Sequence, residues 1–124
     1  MDMRTPISKV RGLGSAKSGT GHVWMQRVTA VALVPLVIWF VASVVQMTTA
    51  DYFTVRAWLA SPVSAILMIL FIVAGLYHLR LGLQVIVEDY IHTRGMKVAL
   101  ELLILYGCII ITVAAIFSIL KIAL

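Results

Sequence analysis

The chain has 124 residues, 62% of them hydrophobic and only 12% charged, with a mean hydropathy of +1.07 and a formal net charge of +5. Water-soluble domains carry about 25% charged residues, so the composition excludes an ordinary soluble enzyme and identifies an integral membrane protein. A few helices exhaust the length, so any globular catalytic domain belongs to a partner; the positive residues flank apolar spans, which speaks for orientation in a bilayer and against nucleic-acid binding.

Residues 1–23, MDMRTPISKVRGLGSAKSGTGHV, form a polar basic arm. The arm has no apolar core of its own, so it is not read as a cleaved signal peptide. Its GLGSAKS stretch lacks the glycine before lysine and the preceding strand that a phosphate loop needs. Three apolar spans follow within the anchor region 24–124: Val28–Met47, Val63–Val87 and Val98–Leu120. At about 1.5 Å per residue each covers the roughly 30 Å hydrocarbon core of a bilayer. In lipid every backbone polar group needs an internal partner, so the spans are expected to be helices, with a kink at Pro35. The expected fold is therefore an all-α membrane protein with three transmembrane helices.

The segments between the spans set the orientation. Arg4, Lys9, Arg11, Lys17 and Arg27 stand before or at the start of the first span. The first loop, Thr48–Pro62, has only Arg56, the second has Arg94 and Lys97, and Lys121 lies near the end. Positive residues favour the cytoplasmic side, which predicts a cytoplasmic N-terminus and a periplasmic C-terminus. Tyr52, Phe53 and Trp58 suit the outer interfacial belt and Trp24 the inner one. Cys108 is the only cysteine and reads as a small buried hydrophobe. Glu101, four residues after Lys97, suits a local ion pair.

The second span ends in polar groups that lipid does not explain: YHLRLGLQVIVEDYIHTRG, residues 77–95. At about 100° per residue, His78 and Asp89 fall within roughly 20° of one another around the helix. Phe71, Gly75, Gly82 and Val85 share that face at spacings of three and four, which predicts a seam facing protein or ligand. The flanking glycines are expected to leave room for something broad beside the imidazole. His78 lies near mid-membrane and Asp89 about 16 Å further toward the cytoplasm. His78 is either a neutral histidine bonded to a neighbouring helix or a metal or haem ligand. His22 and His92 fall near the cytoplasmic surface and cannot share an iron with His78. A second histidine ligand would have to come from another chain.

Glu88, Asp89 and Tyr90 read equally well as interfacial residues closing a span. Arg80 lies about 200° from His78 and suits a partner carboxylate or snorkelling toward the interface. Gln84 suits a polar contact between helices. Arg27 suits an anionic headgroup or a cofactor carboxylate.

The stretch His78 to Tyr90, HLRLGLQVIVEDY, resembles the His-x10-Asp-Tyr signature of the hydrophobic membrane-anchor subunit of succinate dehydrogenase (respiratory complex II), with Gly82 four residues after the histidine. QRVTAVALVPL at 26–36 resembles the Arg-x-Thr-Ala opening of that family's first helix. The resemblance covers nearly the full chain. It implies a non-autonomous subunit of a succinate–ubiquinone oxidoreductase in a bacterial inner membrane. The implied partners are a flavoprotein carrying flavin, an iron–sulfur protein carrying clusters, and a cytochrome b anchor. The implied cofactor is haem b, shared between the two anchors, and ubiquinone is the implied substrate. Carried across, His78 would be an axial ligand to the haem iron and Arg27 would neutralise a haem propionate. Tyr90 would donate to a quinone carbonyl, and Asp89 would hold that tyrosine. Other readings of the residues are an anchor of a fumarate reductase, a small proton-conducting or transport subunit with His78 as relay, and an assembly scaffold without a cofactor.

Overall fold

The computed structural model describes residues 16–124. Arg4, Lys9 and Arg11 of the basic arm lie outside the described residues. Residues 16–23, expected to belong to the arm, are helical and open α1. The described chain forms α1 (Ala16–Met47), α2 (Tyr52–Ala60), α3 (Pro62–Tyr90) and α4 (Arg94–Ala123). Stretches of α1, α3 and α4 are long and apolar enough to cross a membrane, as their composition predicts. Each helix outruns its apolar span, because the hydrogen-bonded ladder continues into the interfacial residues at both ends.

Pro35 sits inside α1 without ending it. A missing N–H is tolerable in a membrane helix when neighbouring groups reoccupy the freed carbonyl. The first loop contains a helix that the sequence reading left as a connection. Asp51 caps α2, its Oδ1 accepting from the Thr54 N–H at 2.9 Å. Hydrogen bonds from the Thr54 side chain and backbone hold the Asp51 carboxyl below the ordinary carboxylate range, as expected for a charge that accepts N-terminal donors. Nothing on α2 is buried. Trp58 stacks on Trp39 of α1, ring centroids 5.7 Å apart, and so pins α2 to the end of α1. Pro62 occupies the first turn of α3, where its absent N–H costs no intrahelical bond.

The helix α3 is the middle of a row. It packs on α1 along one side and on α4 along the other, while α1 and α4 have at most marginal contact with each other. Only Leu81, Val87 and Ile119 are buried among the described apolar side chains, and only Thr29, Ser43 and Ser64 among the polar ones. Many of the remaining apolar side chains are exposed, as lipid permits.

Candidate functional site: the seam between α1 and α3

Along α1 the residues turned inward are His22, Gln26, Thr29, Leu33, Leu36, Phe40, Ser43 and Met47, all buried or half-buried. Their spacings alternate between four and three. On α3, Ser64, Met68, Phe71, Gly75, His78 and Gly82 repeat the same rhythm and are likewise buried or half-buried. Two such stripes meet when helices pack closely and nearly antiparallel. The register can be read from four contacts. Phe40 lies against Phe71, ring centroids 4.7 Å apart. A methyl at Gly75 would touch Leu33 Cδ2 at 3.9 Å, and one at Gly82 would touch the Gln26 amide at 3.8 Å. Between them, Thr29 Oγ1 and His78 Nδ1 are 3.0 Å apart.

This register corrects one expectation. The space beside His78 at Gly75 and Gly82 is taken by Leu33 and Gln26 of the same chain, so the glycines serve close helix packing. The open room lies elsewhere. His78 lines a groove of about 410 Å³ whose other walls are Ala30, Leu33, Val34, Val37 and Ile38 of α1. The groove is wholly apolar apart from the imidazole. With Nδ1 engaged by Thr29, the second ring nitrogen, Nε2, makes no hydrogen bond among the described residues.

Arg27 is exposed. At about 100° per residue it falls inside the arc of roughly 100° that Ala30, Val34, Val37 and Ile38 cover, about 4.5 Å beyond Ala30 toward the start of α1. The guanidinium-bearing residue therefore continues the groove's stripe at its basic end. His22 lies on the seam itself, one turn before Gln26; its Nε2 and the Gln26 Oε1 are enclosed without a partner among the described residues.

Toward the end of α3 the seam opens. Val85 and Asp89 are exposed, although they share the helix face of His78. Tyr90 is 76% exposed. Among the described residues Asp89 and Tyr90 contact no ring or polar partner, and Glu88 accepts from Gln84 Nε2 at 3.3 Å. Gln84 thus bonds along its own helix. Arg80 faces α4 and lines two clefts, one with Tyr77, Cys108 and Thr112 and one with Gln84 and Glu101. Glu101, expected beside Lys97, turns to that second cleft. Cys108 is a free, half-buried thiol. His92 is exposed beyond the end of α3. No three His, Cys, Asp or Glu side chains converge among the described residues.

The partner of His78 was absent from the sequence reading, which treated Thr29 only as part of an Arg-x-Thr-Ala resemblance. The signal that could have found it is the polar stripe His22, Gln26, Thr29, Ser43 on α1, spaced for one helix face.

Residues 1–119 match the family model described as succinate dehydrogenase/fumarate reductase transmembrane subunit. A succinate dehydrogenase hydrophobic membrane anchor subunit of Rickettsia conorii is 32% identical, covering 91% of this chain and 90% of the relative. One of Paracoccus denitrificans is 30% identical over 97% of this chain and 92% of its own. A succinate dehydrogenase membrane anchor subunit of Reclinomonas americana is 31% identical over 66% of this chain and 71% of the relative. The family match over residues 1–119, these relatives and three helices long and apolar enough to cross a membrane together establish that the chain belongs to the succinate dehydrogenase/fumarate reductase transmembrane subunit family, as a membrane anchor.

Proposed function

We propose that the chain is one of two membrane anchors of a succinate–ubiquinone oxidoreductase in a bacterial inner membrane, with His78 as the residue that would hold a haem b iron and with part of a ubiquinone-reducing site. The observation that carries the haem reading is the position of His78, whose imidazole lines a wide apolar groove on α1 while Nδ1 is engaged by Thr29. A neutral imidazole with one free nitrogen is a good iron ligand. The smooth wall of Ala30, Val34, Val37 and Ile38 fits the apolar face of a macrocycle. Arg27, on the same stripe toward the basic end of α1, suits a propionate carboxylate. The groove is open on its far side, and the described residues offer no second imidazole at that depth. The second ligand therefore comes from the other anchor, a cytochrome b subunit. When bound, the haem supplies one-electron storage within the membrane.

Asp89 and Tyr90 stand at the end of α3, which the distribution of Lys and Arg assigns to the cytoplasmic side. Electrons from an iron–sulfur partner and protons from water both arrive there. The Tyr90 hydroxyl donates to a quinone carbonyl, and Asp89, which does not touch it in the single chain, engages that hydroxyl once the site is assembled. Their exposure in the single chain fits a site completed by the iron–sulfur and cytochrome b subunits. Flavin and clusters belong to the soluble partners, and this chain has no turnover alone.

The deciding experiment is a reduced-minus-oxidised visible spectrum of membranes carrying the complex, with wild-type chain and with His78→Ala. The b-type absorbance should be lost or strongly reduced in the variant, while dye-linked succinate oxidation reports that the soluble subunits are present. An unchanged haem spectrum in His78→Ala removes His78 as a ligand.

A further inference from the structure

The Thr29 hydroxyl has one proton and three neighbours. Its Oγ1 lies 2.8 Å from the Met25 carbonyl, 3.1 Å from the Gln26 carbonyl and 3.0 Å from His78 Nδ1. Carbonyl oxygens only accept. Both carbonyls belong to the preceding turn of α1, which favours directing the hydroxyl proton there and leaving the lone pair of Oγ1 for the imidazole. For the 3.0 Å contact to be a hydrogen bond, Nδ1 must carry the proton and donate. A neutral imidazole has one N–H, so Nε2 is left bare with its lone pair available. Thr29 is 7% exposed, so its hydroxyl is shielded, and the threonine side chain is itself held by its two carbonyl contacts.

From this geometry we infer that Thr29 is a positioning residue for His78: it selects the Nδ1–H tautomer, holds the ring so that Nε2 faces outward, and strengthens Nε2 as a donor to iron. The inference rests on the haem reading above and deepens it. A histidine ligand commonly gives its other N–H to a carboxylate or backbone carbonyl, and such support raises ligand basicity. Here the acceptor is a hydroxyl whose own proton is committed to the backbone. Because it sits on α1 and the histidine on α3, the same contact couples ligand orientation to the packing of two helices.

The test compares Thr29→Ser and Thr29→Val with wild type in the assembled, membrane-bound complex, alongside His78→Ala. Serine keeps the hydroxyl; valine keeps the shape and deletes the acceptor. The readouts are haem content per complex, the midpoint potential of the haem in a redox titration, and its low-spin electron paramagnetic resonance signal. Thr29→Ser should match wild type. Thr29→Val should raise the potential, because a weaker imidazole donor stabilises the ferric iron less. It should also shift the resonance signal and loosen haem by roughly 10- to 100-fold. If Thr29→Val prevents assembly, Thr29→Cys replaces it: a thiol accepts weakly, so an intermediate potential is expected. The inference is overturned if Val (or Cys in its place) gives the wild-type potential and signal, or if Ser shifts them as far as Val. An unchanged spectrum in His78→Ala instead overturns the haem reading, so the two failures are distinguishable.

Discussion

Thr29 and Ser43 are the most enclosed side chains of α1, more so than its leucines and valines. In water the order would be the reverse. In a bilayer, hiding an apolar side chain from lipid gains little, whereas a hydroxyl gains from meeting another polar group. The same logic makes the exposure of Asp89 and Tyr90 informative, since both stand beyond the apolar part of α3 with no polar partner among the described residues. If they serve a quinone, Tyr90→Phe deletes one hydroxyl and little volume. It should lower ubiquinone reduction by roughly 10²-fold, the usual effect of removing a donor to developing negative charge. Dye-linked succinate oxidation, which draws electrons before the quinone, should stay near wild type. Asp89→Asn should act in the same direction. Steady-state quinone kinetics decide it: wild-type rates in both variants leave the two residues as interfacial punctuation.

At the scale of the element, the two glycines of α3 act through what faces them. A methyl at Gly75 or Gly82 would make ordinary van der Waals contact with Leu33 or with the Gln26 amide, so Gly75→Ala and Gly82→Ala should be nearly silent. A leucine at either position exceeds the space and must push α1 away, at about 1–3 kcal/mol for overpacking. Gly75→Leu and Gly82→Leu should therefore lower the thermal midpoint of the detergent-solubilised complex by several degrees. A wild-type melting curve in both leucine variants would contradict the register of the seam. The seam on α3 was legible in the sequence because spacings of three and four between Phe71, Gly75, His78 and Gly82 are unusual within an otherwise uniformly apolar span. What faced it was not legible. A stripe on one helix does not name its partner, and α1 was read from its apolar residues rather than its polar ones. Helix α2 is not legible for a related reason: nine residues with no buried side chain carry no periodic core, and the helix depends on the Asp51 cap, the Trp58–Trp39 stack and its packing on α3 and α4.

At the scale of the molecule, the three long helices were legible from hydropathy alone, since lipid leaves a spanning segment no alternative to a helix. Their order in space, with α3 in the middle, depends on which faces are small or polar, and hydropathy does not carry that. Orientation rests on charge. The loop between α3 and α4 carries Arg94 and Lys97, whereas Lys121 is the only basic residue after them. An alkaline phosphatase reporter fused after Leu124 should be active, and one placed between Asp89 and Lys97 should be silent, with a cytoplasmic fluorescent reporter giving the opposite pattern. The reverse pattern would place the Asp89–Tyr90 end away from the soluble subunits and dismantle the quinone site.

The closed seam between α1 and α3 has a consequence for the order of events in biogenesis. Leu33, Thr29 and Gln26 engage α3 without help from any other molecule, so this half of the histidine environment exists as soon as the chain is in the membrane. Under the proposed function, a newly inserted anchor is then a template with its imidazole already held, and a haem and a second anchor would add to it without first having to organise it. The entropy of fixing that ring is lost during insertion, not during capture. Loss of a late-arriving subunit would thus leave an intact receptor waiting in the bilayer rather than an unfolded chain.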